Sequence, residues 1–204
     1  AYMKPKDIKD AISSIRQLTS QPFAVNLFCV SFGDEPSEAA KRKVREALIR
    51  IGADLGVVDD DIQFSAADHF DAQFQICVDE KVPVISTAFG RLPDDKVKLA
   101  KENGMKITSM ITTVEEAILA EKSGVDLVVA QGSDAGGHRS TFDLRKHDNG
   151  SNVGTFSLVP QVADHVNIPV VAAGGVNDGR SLTAALALGA SGVQIGTRFL
   201  SSKE

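Results

Sequence analysis

The chain has 204 residues, 43% of them hydrophobic and 24% charged, which is ordinary for one folded domain with a substantial core. Its net charge of −5, without a basic block, argues against nucleic acid as a partner, and no apolar run reaches the roughly 18 residues of a membrane span. Cys29 and Cys77 lie in separate apolar segments, which predicts free thiols in a reducing cytoplasm. No cysteines and histidines have metal-ligand spacing, so no metal site is expected.

The first 81 residues predict three helices and one strand. The strand is a nearly unbroken apolar run at 23–30, typical of a strand buried on both faces. Its one polar residue, Asn26, either contacts a cofactor or is buried and satisfied by the backbone, since an unpaired buried amide costs about 1–3 kcal/mol. Residues 56–67 show no clear period and predict a loop. The helices are predicted over 4–20, 37–52 and 68–81.

From residue 82 onward, apolar runs alternate with helical patterns. Strict alternation of six strands with helices implies an α/β fold with a parallel sheet and right-handed crossovers. Strands are predicted at 82–87, 105–111, 126–130, 168–173 and 192–200, and helices over 93–103, 113–123, 157–165 and 178–188.

Strands of this kind fit either a doubly wound sheet or a (β/α)8 TIM barrel. Three strands end in candidate functional residues, which favours the barrel, because there the carboxyl ends of all strands face one site. A closed barrel needs eight strands, and six are predicted. We therefore expect residues 1–204 to form a single cofactor-binding barrel domain, with the first two βα units and the C-terminal segment of the barrel outside this sequence.

The first candidate site is the segment QGSDAGGH, which follows the strand at 126–130. The amide of Gln131 can hydrogen-bond a flat heterocycle through both ends, and Gly136 and Gly137 leave room for a ring to lie close. His138 would face the ring and can exchange a proton near neutral pH. Without this setting, a purely structural histidine would be the better interpretation. Asp134 either contributes to the site or caps a helix or pairs with the neighbouring arginine.

Two further glycine sites follow, AAGGV at 172–176 and QIGTRF at 194–199. Glycines let backbone N–H groups approach an anion, and the start of the helix at 178–188 adds a favourable dipole. Loops after the last two strands of a barrel are its usual phosphate site. The alternative for Gly174 and Gly175 is a tight turn. The polar segment 139–156 predicts either a lid or a disordered loop.

The motifs VVAQGSDAGGHRS and IPVVAAGGVNDGRSLTAALALGASGVQIGTRFL closely resemble the nitronate monooxygenase family, formerly called 2-nitropropane dioxygenases. The resemblance spans essentially all of the chain and implies an FMN-dependent TIM-barrel enzyme. It implies that His138 is the catalytic histidine over the flavin. One departure is Ser140, where glycine is common. The implied FMN contacts are Asn26, Gln131, Gly136 and Gly137, and the implied phosphate contacts are Gly174, Gly175, Gln194, Ile195, Gly196 and Thr197.

The implied reaction is oxidation of an alkyl nitronate by O2 to a carbonyl compound and nitrite. His138 would act as a base on neutral nitroalkanes or as a hydrogen-bonding cation to nitronate oxygens. One alternative is a flavin-dependent enoyl-acyl-carrier-protein reductase using NAD(P)H, and another is a barrel that binds a phosphorylated ligand without redox chemistry. A homo-oligomer is compatible with the sequence.

Overall fold

The computed structural model of the protein describes residues 3–30, 36–56, 68–147 and 150–203. The helices are α1 (Pro5–Leu18), α2 (Glu38–Asp54), α3 (Phe70–Asp79), α4 (Asp94–Glu102), α5 (Val114–Lys122), α6 (Thr155–Ala163), α7 (Gly179–Ala187) and α8 (Thr197–Leu200). The strands are β1 (Ala24–Phe28), β2 (Val84–Ala88), β3 (Lys106–Ile111), β4 (Leu127–Gln131), β5 (Val170–Ala173) and β6 (Gly192–Gln194).

The contacts divide the chain into two compact units, and the smaller lies within residues 31–69. Its described helix, α2, begins after Ser37, whose hydroxyl accepts a hydrogen bond from the Ala40 N–H at 3.3 Å. The helix runs two residues beyond Gly52, where the sequence predicts its end. Residues 57–67, most of a predicted loop, lie outside the described residues. The single-domain organisation stays a prediction.

The larger unit is a six-stranded sheet in the order β1-β2-β3-β4-β5-β6, and every neighbouring pair is parallel. A doubly wound sheet reverses its strand order at a switch point, whereas the described strands follow one another without reversal. Right-handed crossovers then place the connecting helices of this unit on one face of the sheet. This is the arrangement of consecutive units in a (β/α)8 barrel, so the predicted α/β fold class is confirmed.

The two faces of the sheet differ in burial. Leu27, Ile85, Ile107 and Val128 are fully buried and join the helices in one hydrophobic core. The opposite face carries Asn26, which is exposed. The prediction that β1 is buried on both faces is therefore wrong, and so is the alternative that buries the Asn26 amide. A single polar residue in an apolar run marks the uncovered face of this strand.

The C-terminal strand is shorter than predicted. Strand β6 ends at Gln194, and the predicted strand residues 197–200 form the short helix α8. Gly196, with φ −113° and ψ −73°, leaves the extended conformation, and its carbonyl accepts the N–H groups of Phe199 at 3.0 Å and Leu200 at 3.1 Å. The large apolar residues that suggest a strand here are exposed instead. No described helix combines the length and the hydropathy that crossing a membrane requires.

Candidate functional site

A cavity of about 560 Å³ opens at the carboxyl ends of β3 to β6, in the region where the active site of a barrel lies. It brings together seven of the residues predicted to bind a cofactor. Asn26, Gly137 and Ile195 lie outside it. The lining residues are Met110, Gln131, Asp134, Ala135, Gly136, Ala173, Gly174, Gly175, Val176, Asn177, Gln194, Gly196, Thr197, Arg198 and Ser201.

The first and third glycine segments meet in this cavity. A Cβ atom added to Gly136 would lie 3.0 Å from the Thr197 hydroxyl oxygen, so the loop after β4 packs directly on the start of α8. This contact joins two segments that are about sixty residues apart in the sequence, as parallel strands of one barrel allow. The expectation that they end at one common site is consistent with this geometry.

Gly174 has a structural reason to be glycine. Its φ is +118°, and an added Cβ would lie 2.6 Å from the Thr155 hydroxyl and 2.8 Å from the Ala135 nitrogen. The loop after β4 and the start of α6 therefore both press on this residue. Gly175 has φ +69° and lines the same cavity, but an added Cβ there would make only an ordinary 3.6 Å contact, with Asp134. Of the two positions, only that of Gly174 requires glycine because other atoms of the protein lie too close for a side chain.

The start of α7 is already occupied by a carboxylate. Asp178 accepts hydrogen bonds from the N–H groups of Arg180 at 2.9 Å and Ser181 at 3.5 Å, and the Ser181 hydroxyl closes a capping box. A side-chain hydrogen bond from Arg180 holds the pKa of Asp178 below its usual value, which keeps it ionised. The dipole of this helix start therefore already faces a carboxylate of the chain itself, and its predicted contribution to an anion site stays a prediction.

Gln131 organises the loop that carries the histidine. Its amide nitrogen donates to the His138 carbonyl at 2.8 Å, and its amide oxygen accepts from the Ser140 N–H at 2.8 Å. The side chain is 4% exposed and lines the cavity. Both ends of the amide thus hold the loop, and a contact with a ring would use the second amide hydrogen or the second lone pair. A flavin contact by Gln131 stays a prediction.

The imidazole of His138 lies beside two phenylalanine rings at the ends of β1 and β2. Its centroid is 6.5 Å from that of Phe28 and 5.8 Å from that of Phe89, with an interplanar angle of 78° to Phe89. Gly137, with φ +79°, turns the chain directly before it. The histidine itself is exposed, and its catalytic role stays a prediction. The sequence identifies neither phenylalanine as a site residue, since Phe28 belongs to an apolar run and Phe89 stands in none of the candidate motifs.

The segment 139–156 is anchored through Glu116, a buried carboxylate that the sequence does not single out. Glu116 is 5% exposed and accepts the N–H groups of Thr112 at 2.6 Å and Phe142 at 2.7 Å, together with the Thr112 hydroxyl at 2.9 Å. Arg139 donates to the carbonyls of Gln131 and Ser151. These hydrogen bonds hold the described part of the segment in place and contradict the disordered alternative there; residues 148–149 lie outside the described residues.

Asp134 caps a helix, which is one of the roles foreseen for it. Its carboxylate accepts the Thr155 N–H at 2.8 Å, at the start of α6. The hydrogen bonds from Thr155 and, more weakly, the charge of Arg139 hold the pKa of Asp134 below its usual value. Burial is the main cause that lowers the pKa of Arg139, and the charges of Glu116 and Asp134 oppose this.

The two cysteines are free thiols, as predicted. Burial raises the pKa of Cys29 to about 12 and that of Cys77 to about 11. A thiol that stays protonated at neutral pH is a poor nucleophile, so neither fits a cysteine-based mechanism. Among the described residues, no three histidine, cysteine or acidic side chains lie close enough together to hold a metal ion.

A family comparison agrees with this geometry. The model of the nitronate monooxygenase family matches residues 1–204. The chain belongs to the nitronate monooxygenase family. A probable nitronate monooxygenase of Staphylococcus haemolyticus is 41% identical over 205 residues, and one of Staphylococcus aureus is 39% identical over 203. The alignments cover 100% of this chain and 57% of each relative, so the chain spans little more than half the length of these family members.

Solved structures show the same relationship. A nitroalkane oxidase from Streptomyces ansochromogenes is 34% identical, with a TM-score of 0.87. The match covers 100% of this chain and 57% of the oxidase chain. FabK from Thermotoga maritima is also 34% identical, with a TM-score of 0.71, and this match covers 100% of this chain and 50% of the FabK chain. At equal identity, the fold is more similar to that of the nitroalkane oxidase.

Proposed function

We propose that the protein containing this chain oxidises alkyl nitronates with O2, with FMN as its cofactor, and releases a carbonyl compound and nitrite. The observation that carries the proposal is the cavity at the ends of β3 to β6. It unites both glycine loops expected to hold a phosphate with Gln131, the residue that fixes the loop of His138. Membership of the nitronate monooxygenase family supports the same reaction.

The residues around the cavity fit the phosphate of FMN. Gly175 and Gly196 can offer backbone N–H groups, Thr197 a hydroxyl, and Arg198 a positive charge. The carboxylate of Asp134 also lines the cavity, but its hydrogen bond to Thr155 directs it to the start of α6. The volume of about 560 Å³ is within the range of ligand cavities.

The flavin supplies the redox chemistry when it is bound, and the chain supplies orientation and proton transfer. On a neutral nitroalkane, a ring nitrogen of His138 would accept the proton from the carbon beside the nitro group. On a nitronate, which is already deprotonated, the protonated imidazole would donate a hydrogen bond to a nitronate oxygen. The rings of Phe28 and Phe89 lie beside this imidazole and can help to orient it.

The test uses the full-length protein. Its absorbance spectrum should show a bound flavin, which mass spectrometry should identify as FMN, and anaerobic nitronate should bleach it. Replacement of His138 by Asn should lower turnover by about 10²-fold or more while FMN stays bound. His165→Asn is the matched control, since this exposed histidine lies two residues beyond the end of α6 and bonds the Gln161 carbonyl of that helix, at 2.7 Å.

Other results would reject the proposal. Unchanged nitronate turnover in His138→Asn would contradict the catalytic assignment. Bleaching by NADPH, with reduction of an enoyl thioester, would indicate the reductase instead. A colourless protein that takes up no added FMN would indicate a barrel without redox chemistry. We also propose a cytoplasmic location, which rests on the two free thiols.

A further inference from the structure

Ser140 joins three strand ends beneath the histidine loop. Its side chain is 1% exposed, and its hydroxyl accepts the Phe89 N–H at 2.9 Å and donates to the Met110 carbonyl at 3.4 Å. Its own N–H donates to the amide oxygen of Gln131 at 2.8 Å. One small residue therefore ties the segments that follow β2 and β4 to the end of strand β3. Alanine or glycine at this position would keep the backbone bond and lose both hydroxyl bonds.

The N–H that Ser140 binds belongs to a residue in an unusual conformation. Phe89 has φ +63°, in the left-handed region that a bulky side chain rarely adopts. The next residue, Gly90, is confined as well, because an added Cβ would lie 2.6 Å from the Cys29 carbonyl oxygen. Such conformations persist only where surrounding contacts enforce them. The hydroxyl of Ser140 is one of those contacts, and it acts directly on the Phe89 backbone.

The conformation of Phe89 places one of the two phenylalanine rings that the imidazole contacts. The Phe89 ring packs edge-on against Phe28, with centroids 4.7 Å apart and an interplanar angle of 69°. The same ring meets His138 edge-on at 5.8 Å. If Phe89 relaxed to negative φ, its side chain would point in a different direction, and its ring contact with His138 would be lost.

We propose that Ser140 is a positioning residue, whose hydroxyl fixes Phe89 so that its ring holds the imidazole of His138 in place. The kinetic consequence rests on the proposed catalytic role of His138, whereas the structural consequence does not. A misplaced catalytic group slows the chemical step more than it weakens substrate binding, so kcat should fall while KM changes little.

The experiment compares the full-length protein with Ser140→Ala and Ser140→Cys. Ser109→Ala is the matched control, because Ser109 is a fully buried serine of β3 whose hydroxyl bonds Thr87 at 3.2 Å, on the helix-covered face. The ring-proton NMR signals of His138, identified by their absence in His138→Asn, report its aromatic contact. Their chemical shifts should change in Ser140→Ala and change less in Ser140→Cys, whose thiol is a weak hydrogen-bonding group. They should remain unchanged in Ser109→Ala.

Turnover provides the second measurement. Ser140→Ala should lower kcat about tenfold with KM nearly unchanged, and Ser109→Ala should change kcat by less than about twofold. A second background carries Phe89→Leu. If Ser140 acts through Phe89, the effects of Ser140→Ala and Phe89→Leu on kcat are not additive. Ser140→Ala should then cost less than about twofold in kcat when Phe89 is already Leu.

The outcomes separate the proposals. Unmoved His138 signals in a folded Ser140→Ala protein, with a loss of thermal stability like that of Ser109→Ala, would overturn the positioning role. Full additivity with Phe89→Leu would overturn the route through that ring. If Ser140→Ala does not fold, Ser140→Cys decides by the same signals. Absence of nitronate turnover in the unsubstituted protein would reject the proposed function, and the NMR measurement would still decide the role of Ser140.

Discussion

Replacing Glu116 by alanine should destabilise the protein far more than the same change at Glu115. Glu115 precedes it in the first turn of α5 but is exposed, so both substitutions remove one favourable charge from the helix start, a loss of about 0.3–1 kcal/mol. Only Glu116→Ala also leaves the N–H groups of Thr112 and Phe142 without their acceptor. Each buried unpaired N–H costs about 1–3 kcal/mol, so we expect a difference of about 3 kcal/mol between the variants.

Equilibrium urea unfolding of the full-length variants measures this difference. Glu116→Gln keeps one acceptor oxygen and should fall between the two. Limited trypsin digestion is an independent measurement, since Arg145 and Lys146 lie in the anchored segment and should be cut faster in Glu116→Ala. If Glu116→Ala and Glu115→Ala agree within about 0.5 kcal/mol and are cut at equal rates, the anchoring role of Glu116 is refuted.

Three further substitutions test other features of the site. Gly174→Ala should lower the melting temperature and the bound flavin, because its Cβ would meet the Thr155 hydroxyl at 2.6 Å, whereas Gly179→Ala, with no atom within 4 Å, should lower neither. Asp134→Ala should cost about 1 kcal/mol in urea unfolding by removing the cap of α6, and Asp134→Asn, which keeps an acceptor, should cost less. Burial opposes ionisation of Asp126, but hydrogen bonds from the Ile107 N–H and Lys106, with nearby lysine charges, lower its pKa overall. The ionised Asp126 therefore stabilises the fold fully above its unfolded pKa of about 3.9, and this stabilisation is lost as the pH falls through its lower pKa in the folded protein. The native protein should therefore lose more stability in acid than Asp126→Asn, which melting temperatures measured against pH would show.

Much of the fold is predictable from the sequence, because buried parallel strands and capped helices leave local patterns. The apolar runs at 126–130 and 168–173 mark β4 and β5 to within about two residues. The error at 197–200 has the same origin, since Phe199 and Leu200 have the apolar character of a strand but lie in the exposed helix α8. Local pattern alone does not report that Gly196 turns the chain.

The residues that hold the site together are less predictable, because their partners are distant in the sequence. Glu116 is one of two adjacent glutamates on a helix, and only the folded chain brings the Phe142 N–H to it. Ser140 bonds the N–H of Phe89 across about fifty residues. The glycines and Gln131 are recognisable because they stand together in short motifs at the ends of apolar runs, whereas these supporting residues have no local signature.

The sequential strand order also has a consequence for folding. Register pairs Val84 with Lys106 and Thr108 with Leu127, each roughly 20 residues apart, while Ala24 pairs with Val84 across roughly 60. Loop-closure entropy rises with the logarithm of length, so pairing β1 with β2 costs about 1 kcal/mol more than pairing β3 with β4. We expect β2, β3 and β4 to form the folding nucleus and β1 to join afterwards. The imidazole of His138 would then gain the ring of Phe28, the last residue of β1, only in that later step.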